Sequence, residues 1–162
     1  MACVLMPLAQ GCEELEAVTV IDLLRRAKIE VVIAGLDEGP VRGSRGTVLV
    51  PDTVLDAVME QEFDMIVLPG GLPGADNLDQ DARVHRLLQR HQTEQRYAAA
   101  ICAAPKVLAN AGLLDGKSAT SYPGAVIPAK FPRVDLLDAP VVVDGKVITS
   151  RGPGTAMDFA LQ

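Results

Sequence analysis

Short apolar runs alternate with longer amphipathic stretches along the whole chain. The run Cys3–Leu8 reads as a central strand. Residues 13–28 follow with strong helix formers and few breakers, and Glu16, Val20, Leu23 and Ala27 share one helical stripe. That stripe puts a carboxylate in line with core residues near the helix start. Residues 30–36 read as a second strand. Strand, helix and strand in repeated order predict a parallel sheet with right-handed crossovers. Residues 41–50 form an excursion, a hairpin or irregular strand pair around Gly43 and Gly46.

The same pattern predicts a helix over residues 52–60, a buried strand over 64–68, a loop through Gly74–Leu78 and a helix over 81–94. Residues 98–101 are a strand of small side chains. A helix opens at Pro105, a residue suited to the first helical position, and stops before Gly112. Residues 118–121 are a brief strand, and residues 141–150 a hairpin turning at Asp144-Gly145. A last helix begins at Thr155. It reaches Gln162 after about two turns, which predicts that the natural helix runs on past that residue. The fold class expected is α/β, doubly wound, with a mostly parallel sheet between helices and a small β-hairpin excursion. Nothing divides residues 1–162 into more than one domain.

Composition narrows the function classes. A hydrophobic content of 49% argues against disorder, and a net charge of −6 without any basic cluster argues against a nucleic-acid partner. The apolar runs are too short to span a membrane, and the N-terminus lacks the features of a signal peptide. The three cysteines, Cys3, Cys12 and Cys102, are odd in number and show no metal-ligand spacing, so they read as reduced thiols in a cytoplasmic protein.

Chemistry concentrates at the carboxyl ends of the predicted strands, where open α/β sheets bind ligands. Cys102 sits where a strand ends and a helix begins, and orphan backbone N–H groups there favour a thiolate. Gly70 and Gly71 can bring amides close to developing negative charge, as an oxyanion hole requires. Pro153 and Gly154 can form a wall. Glu16, one turn into its helix, can reach back to the cleft. Burial favours its protonated form, so a protonated Glu16 beside an ionised Cys102 is expected. Each part has a plainer reading: a single cysteine is often a small buried hydrophobe, which is the reading for Cys3. Cys12 lies in a loop and is expected to be exposed. His85 and His91 both fall on the 81–94 helix, His85 on its polar side and His91 on its apolar stripe, so neither reads as a base for the thiol.

Four ordered stretches then stand out: Gly11-Cys12-Glu13-Glu14-Leu15-Glu16-Ala17, Val67-Leu68-Pro69-Gly70-Gly71, Ala100-Ile101-Cys102-Ala103-Ala104-Pro105 and Thr149-Ser150-Arg151-Gly152-Pro153-Gly154-Thr155. Together they resemble the ThiJ/PfpI superfamily, in particular its DJ-one (parkinsonism-associated deglycase) branch and the bacterial members of it. The resemblance spans essentially all 162 residues. It implies a flavodoxin-like fold, a homodimer and further helix after Leu161. It also implies that Cys102 is the nucleophile, Glu16 its protonated partner, and Gly70, Gly71 and Ala103 the backbone donors. Arg45 and Arg26 match arginines near the site or dimer interface in relatives. Two positions depart from relatives: Tyr122 stands where a histidine is usual, and Ala103 stands where the protease branch has a histidine, which disfavours proteolysis.

By resemblance, the expected activity is that of a glutathione-independent glyoxalase or deglycase, acting on small dicarbonyls or glycated substrates with no cofactor and no metal. An oxidation sensor or redox-gated chaperone is the alternative. A thiamine-pathway role, implied only by the ThiJ name, ranks last.

Overall fold

The structure is a computed structural model that describes residues 1–162. The elements run β1 (Cys3–Leu8), α1 (Glu14–Arg26), β2 (Glu30–Gly35), β3 (Val41–Arg42), β4 (Val48–Leu49), β5 (Thr53–Val54), β6 (Met65–Leu68), α2 (Gly74–Gln80), α3 (Ala82–Thr93), β7 (Tyr97–Ile101), α4 (Pro105–Asn110), β8 (Ser118–Ala119), β9 (Asp135–Leu136), β10 (Val141–Asp144), β11 (Val147–Ser150) and α5 (Ala156–Leu161). Seven strands form one sheet in the order β10-β11-β7-β6-β1-β2-β5. All neighbours pair in parallel except β10, which returns antiparallel beside β11.

Strands such as β1 and β7 show no alternation because both faces of the sheet are covered. A core of 26 buried residues lies on the face of α2, α3 and α4, and includes Leu78, Leu87, Leu88 and Leu108. A second core of 17 holds Ala17, Val20 and Ile21 of α1 with Ala156 and Phe159 of α5. Helix α1 starts cleanly because the Glu13 side chain accepts from the Leu15 amide, and Arg25 and Arg26 in the last turn complement the helix dipole. No helix is long and apolar enough to cross a membrane.

The sheet and the 41–50 hairpin (β3 with β4, antiparallel) stand as the pattern predicts; the late hairpin forms too, but Asp144 pairs with Val147 in the strands, so its two-residue turn is Gly145-Lys146 and not Asp144-Gly145. Three stretches differ. Residues 52–60 make the short strand β5 and one 3-10 turn, Leu55–Val58, in place of a helix. The cause is Asp52. Its carboxylate accepts from the Ile33 amide and the Arg25 guanidinium, which holds the segment along β2. Gly74–Leu78 is helical in α2 because Leu78 drives the turn into the core and Gly74 can lie against the Cys12 backbone. The pair β8 and β9 has a parallel register, Ser118 opposite Asp135, that residues 118–121 alone did not announce.

His91 is fully buried in α3. Its Nδ1 bonds the Leu87 carbonyl at 3.1 Å, while Nε2 has no partner. Burial, with Arg90 and Arg96 nearby, lowers its pKa below the ordinary imidazole value, so it stays neutral. His85 bonds Asp79. Both histidines serve α3 rather than the thiol.

Candidate active site

Cys102 follows β7 directly and has a φ of 65°, in the left-handed region that side-chain-bearing residues rarely occupy. Holding it there costs on the order of 1–3 kcal/mol, and the surroundings fix it from both sides. Its amide donates to the Ser150 carbonyl at 3.0 Å, and its carbonyl accepts from the Tyr122 amide at 2.8 Å. The chain turns at once into α4, with Pro105 at its opening position. The turn has the geometry of an elbow, a sharp strand-to-helix turn that lifts a side chain above the sheet. Cys102 is 9% exposed.

Glu16, in the first turn of α1, is fully buried. Its Oε1 accepts from the Gly70 amide at 3.2 Å, and Oε2 has no well-aligned hydrogen bond. Gly70 permits this meeting. A Cβ there would lie 2.6 Å from Cys102 Cβ and 2.8 Å from Glu16 Oε1. Gly70 therefore gives its amide to Glu16 rather than to the sulfur. The amides that face the sulfur are those of Gly71 and Ala103.

The charge state differs from the expected pairing in one half. Burial, with the nearby Glu13 charge, pushes the Glu16 carboxyl up to about 7, towards the protonated form. Burial and the Glu16 charge also push the Cys102 thiol up, to about 11, and outweigh the Gly71 and Ala103 amides. Both effects favour the thiol over the thiolate, against the pull of the helix start. The two groups are coupled, since each lies among the causes that shift the other.

Tyr122 is exposed, lies against Gly152, and stands between two depressions. The larger, about 530 Å³, includes Ala103 in its wall, and the smaller includes Pro153 and Gly154. Arg45 is exposed on the β3–β4 hairpin and makes no ion pair; its backbone amide donates to Glu14 Oε1 at 3.0 Å. Arg26 is not brought to the site within the chain. It lies about 15 Å along α1 from Glu16 and pairs with Asp22 at 2.9 Å. Cys12 is fully buried, contrary to its expected exposure, because its backbone packs under Gly71 and Gly74. No three His, Cys, Asp or Glu side chains are grouped to hold a metal ion.

Sequence reasoning missed Glu14. Its carboxylate accepts from the Arg45 and Thr47 amides and from the Ser44 hydroxyl, and so straps the hairpin to the start of α1. Burial opposes its charge, but these amides outweigh burial and leave its pKa below the usual carboxylate value. Gly43 leaves the room, since a Cβ there would lie 2.5 Å from Glu14 Oε2. Glu14 is off the apolar stripe, so only the tertiary approach of the hairpin reveals its role.

A doubly wound α/β domain with a cysteine elbow at the carboxyl edge of its sheet and a buried glutamic acid beside it defines a class of proteins. The chain belongs to the DJ-1/PfpI family, whose model matches residues 2–162. It is 47% identical over 161 residues to protein dj-1beta of Drosophila melanogaster, covering 98% of this chain and 85% of that one. It is 35% identical over 163 residues to the glutathione-independent glyoxalase DJR-1.2 of Caenorhabditis elegans, covering 99% and 85%. The crystal structure of Drosophila melanogaster DJ-1beta superposes with a TM-score of 0.93 at 45% identity, over 99% of this chain and 87% of that one. Toxoplasma gondii DJ-1 in an oxidized form gives 0.92 at 40% identity, over 99% and 88%.

Proposed function

We propose that this protein is a cysteine-dependent enzyme that converts reactive 2-oxoaldehydes, free or as early glycation adducts, to 2-hydroxy acids without glutathione. The observation that carries the reading is the buried Cys102–Glu16 pair, with the Gly71 and Ala103 amides turned to the sulfur. The similarity to a relative named a glutathione-independent glyoxalase supports it.

The Cys102 sulfur adds to the aldehyde carbon as its proton passes to Glu16, and the carbonyl oxygen takes up a proton to give a hemithioacetal. Glu16, deprotonated again, removes the C1 proton, and a proton delivered to C2 completes the shift to a thioester. Water then releases the acid and restores the thiol. The sum is one free aldehyde and one water to one 2-hydroxy acid, with no net oxidation; an early adduct, a hemiaminal or hemithioacetal, first releases its amine or thiol to give the same aldehyde. Purified protein is expected to form lactate from methylglyoxal without glutathione, and Cys102→Ser to reduce the rate at least about 10³-fold. Equal rates in the two proteins would end the reading.

The second reading is an oxidation sensor acting through Cys102, supported by the similarity to a Toxoplasma gondii DJ-1 solved in an oxidized form. We also propose a homodimer and a cytoplasmic location. Exposed Leu15 and Val18 on α1 and Val48 and Val50 on the strapped hairpin support self-association. Sedimentation at micromolar concentration is expected to give twice the 17.1 kDa chain mass, and a monomer there would exclude the dimer.

A further inference from the structure

We propose that the groove between the Cys102 elbow and residues 122–131 is the recognition pocket for the substituent of the substrate, and that it selects 2-oxoaldehydes bearing a bulky apolar group, an aryl group above all. The inference rests on the dicarbonyl reading above and specifies its substrate class.

The groove adjoins the Cys102 elbow through Ala103 and Tyr122. Ala103, whose amide faces the sulfur, forms its inner wall, and Tyr122, whose amide holds the Cys102 carbonyl, forms one side. Its volume of about 530 Å³ falls in the range of small-molecule sites and far exceeds the single methyl group of methylglyoxal. Its surface is apolar where it opens. Leu72, Tyr122 and Ile127 are 58%, 54% and 42% exposed, three of the larger hydrophobic side chains left uncovered by the fold, and all three line this one depression. Phe131 adds an aromatic wall.

The polar side chains Asp79, Lys106 and Asn110 on the groove wall are already paired. Lys106 pairs with Asp76, and Asn110 donates to Asp79. Lys130 is left as a single solvated charge at the rim. A ligand here gains by covering apolar surface rather than by finding a buried ion partner.

Initial rates with phenylglyoxal and methylglyoxal test the assignment, with mandelate and lactate as products. In the unmodified protein kcat/KM is expected to favour phenylglyoxal by about tenfold. Ile127→Glu is expected to lower kcat/KM for phenylglyoxal about tenfold while changing that for methylglyoxal much less, and Ile127→Ser to act in the same direction more weakly. No preference for the aryl substrate, or an equal loss on both substrates, would overturn the proposal. Failure of both aldehydes to react would sink the dicarbonyl reading itself. The groove is then judged by 2-hydroxyacetophenone, which lacks the aldehyde. It is expected to shift the NMR signals of Ile127 and Phe131 where hydroxyacetone does not, and the absence of such shifts would refute the pocket.

Discussion

Replacing Glu16 by glutamine is expected to lower lactate formation from methylglyoxal by about 10³-fold while making Cys102 easier to alkylate at neutral pH. The two effects oppose each other because Glu16 has two roles. In the proposed mechanism it carries the proton between carbon and oxygen, where an amide cannot replace it. As a negative charge beside the sulfur it helps to hold the thiol at about 11, after the larger effect of burial. The glutamine oxygen can still accept from the Gly70 amide, and its NH2 stands where Oε2 now lacks a partner and can donate to sulfur. The thiol pKa therefore falls as catalysis fails. Iodoacetamide rates against pH, measured beside lactate formation, check both halves. An unchanged alkylation profile would remove Glu16 from the electrostatics of the thiol.

The same substitution changes stability with pH. The folded-state value of Glu16, about 7, lies above its ordinary 4.5, so the folded protein binds this proton more tightly than the unfolded chain does. The corresponding stability is complete below about pH 4.5 and is lost as pH rises through about 7, roughly 3 kcal/mol in all. Urea unfolding between pH 5 and 8 is expected to show that decline in the parent and a flatter profile in Glu16→Gln.

Gly71→Ala is expected to be the most damaging of the glycine substitutions, lowering stability by about 3 kcal/mol or more and reducing activity in whatever protein folds. Gly71 has a φ of +86°, and a Cβ there would lie 2.4 Å from the Glu13 nitrogen and 2.8 Å from the Cys12 carbonyl carbon. Both are backbone atoms, which cannot turn aside. Any shift also moves an amide that faces the Cys102 sulfur. Gly112 is the control: its φ is +84° and nothing lies within 4 Å of an added Cβ. Gly112→Ala is expected to cost only the backbone preference, about 1 kcal/mol. Urea titrations of the two variants make the comparison, and equal losses would show that φ rather than crowding governs both.

The sheet and the residues gathered at its carboxyl edge were readable because their signals are local. The apolar run of β1, the small residues of β7 and Pro105 define buried strands and a helix start whatever lies around them. Glu16 was readable because a carboxylate on an apolar stripe is anomalous. Other features depended on distant partners. Asp52 looks like a helix cap until β2 and Arg25 compete for its carboxylate. Gly70 looks like a turn residue until Glu16 and Cys102 close around it. The thiol's charge state followed the same rule. Helix-start chemistry alone favours a thiolate, and only the packed site shows how far burial reverses that preference.

The elbow's two backbone anchors have a consequence for the order in which the protein is made. The Ser150 carbonyl and the Tyr122 amide both come from the chain well after Cys102. A ribosome that has released residue 102 has not yet supplied either of them. Tyr122 is made first, and until β11 docks beside β7 the second of the two bonds that hold Cys102 at its strained φ is missing. Assembly of the reacting centre is thus timed to the last parallel strand, when the cleft that confines its chemistry is also closed.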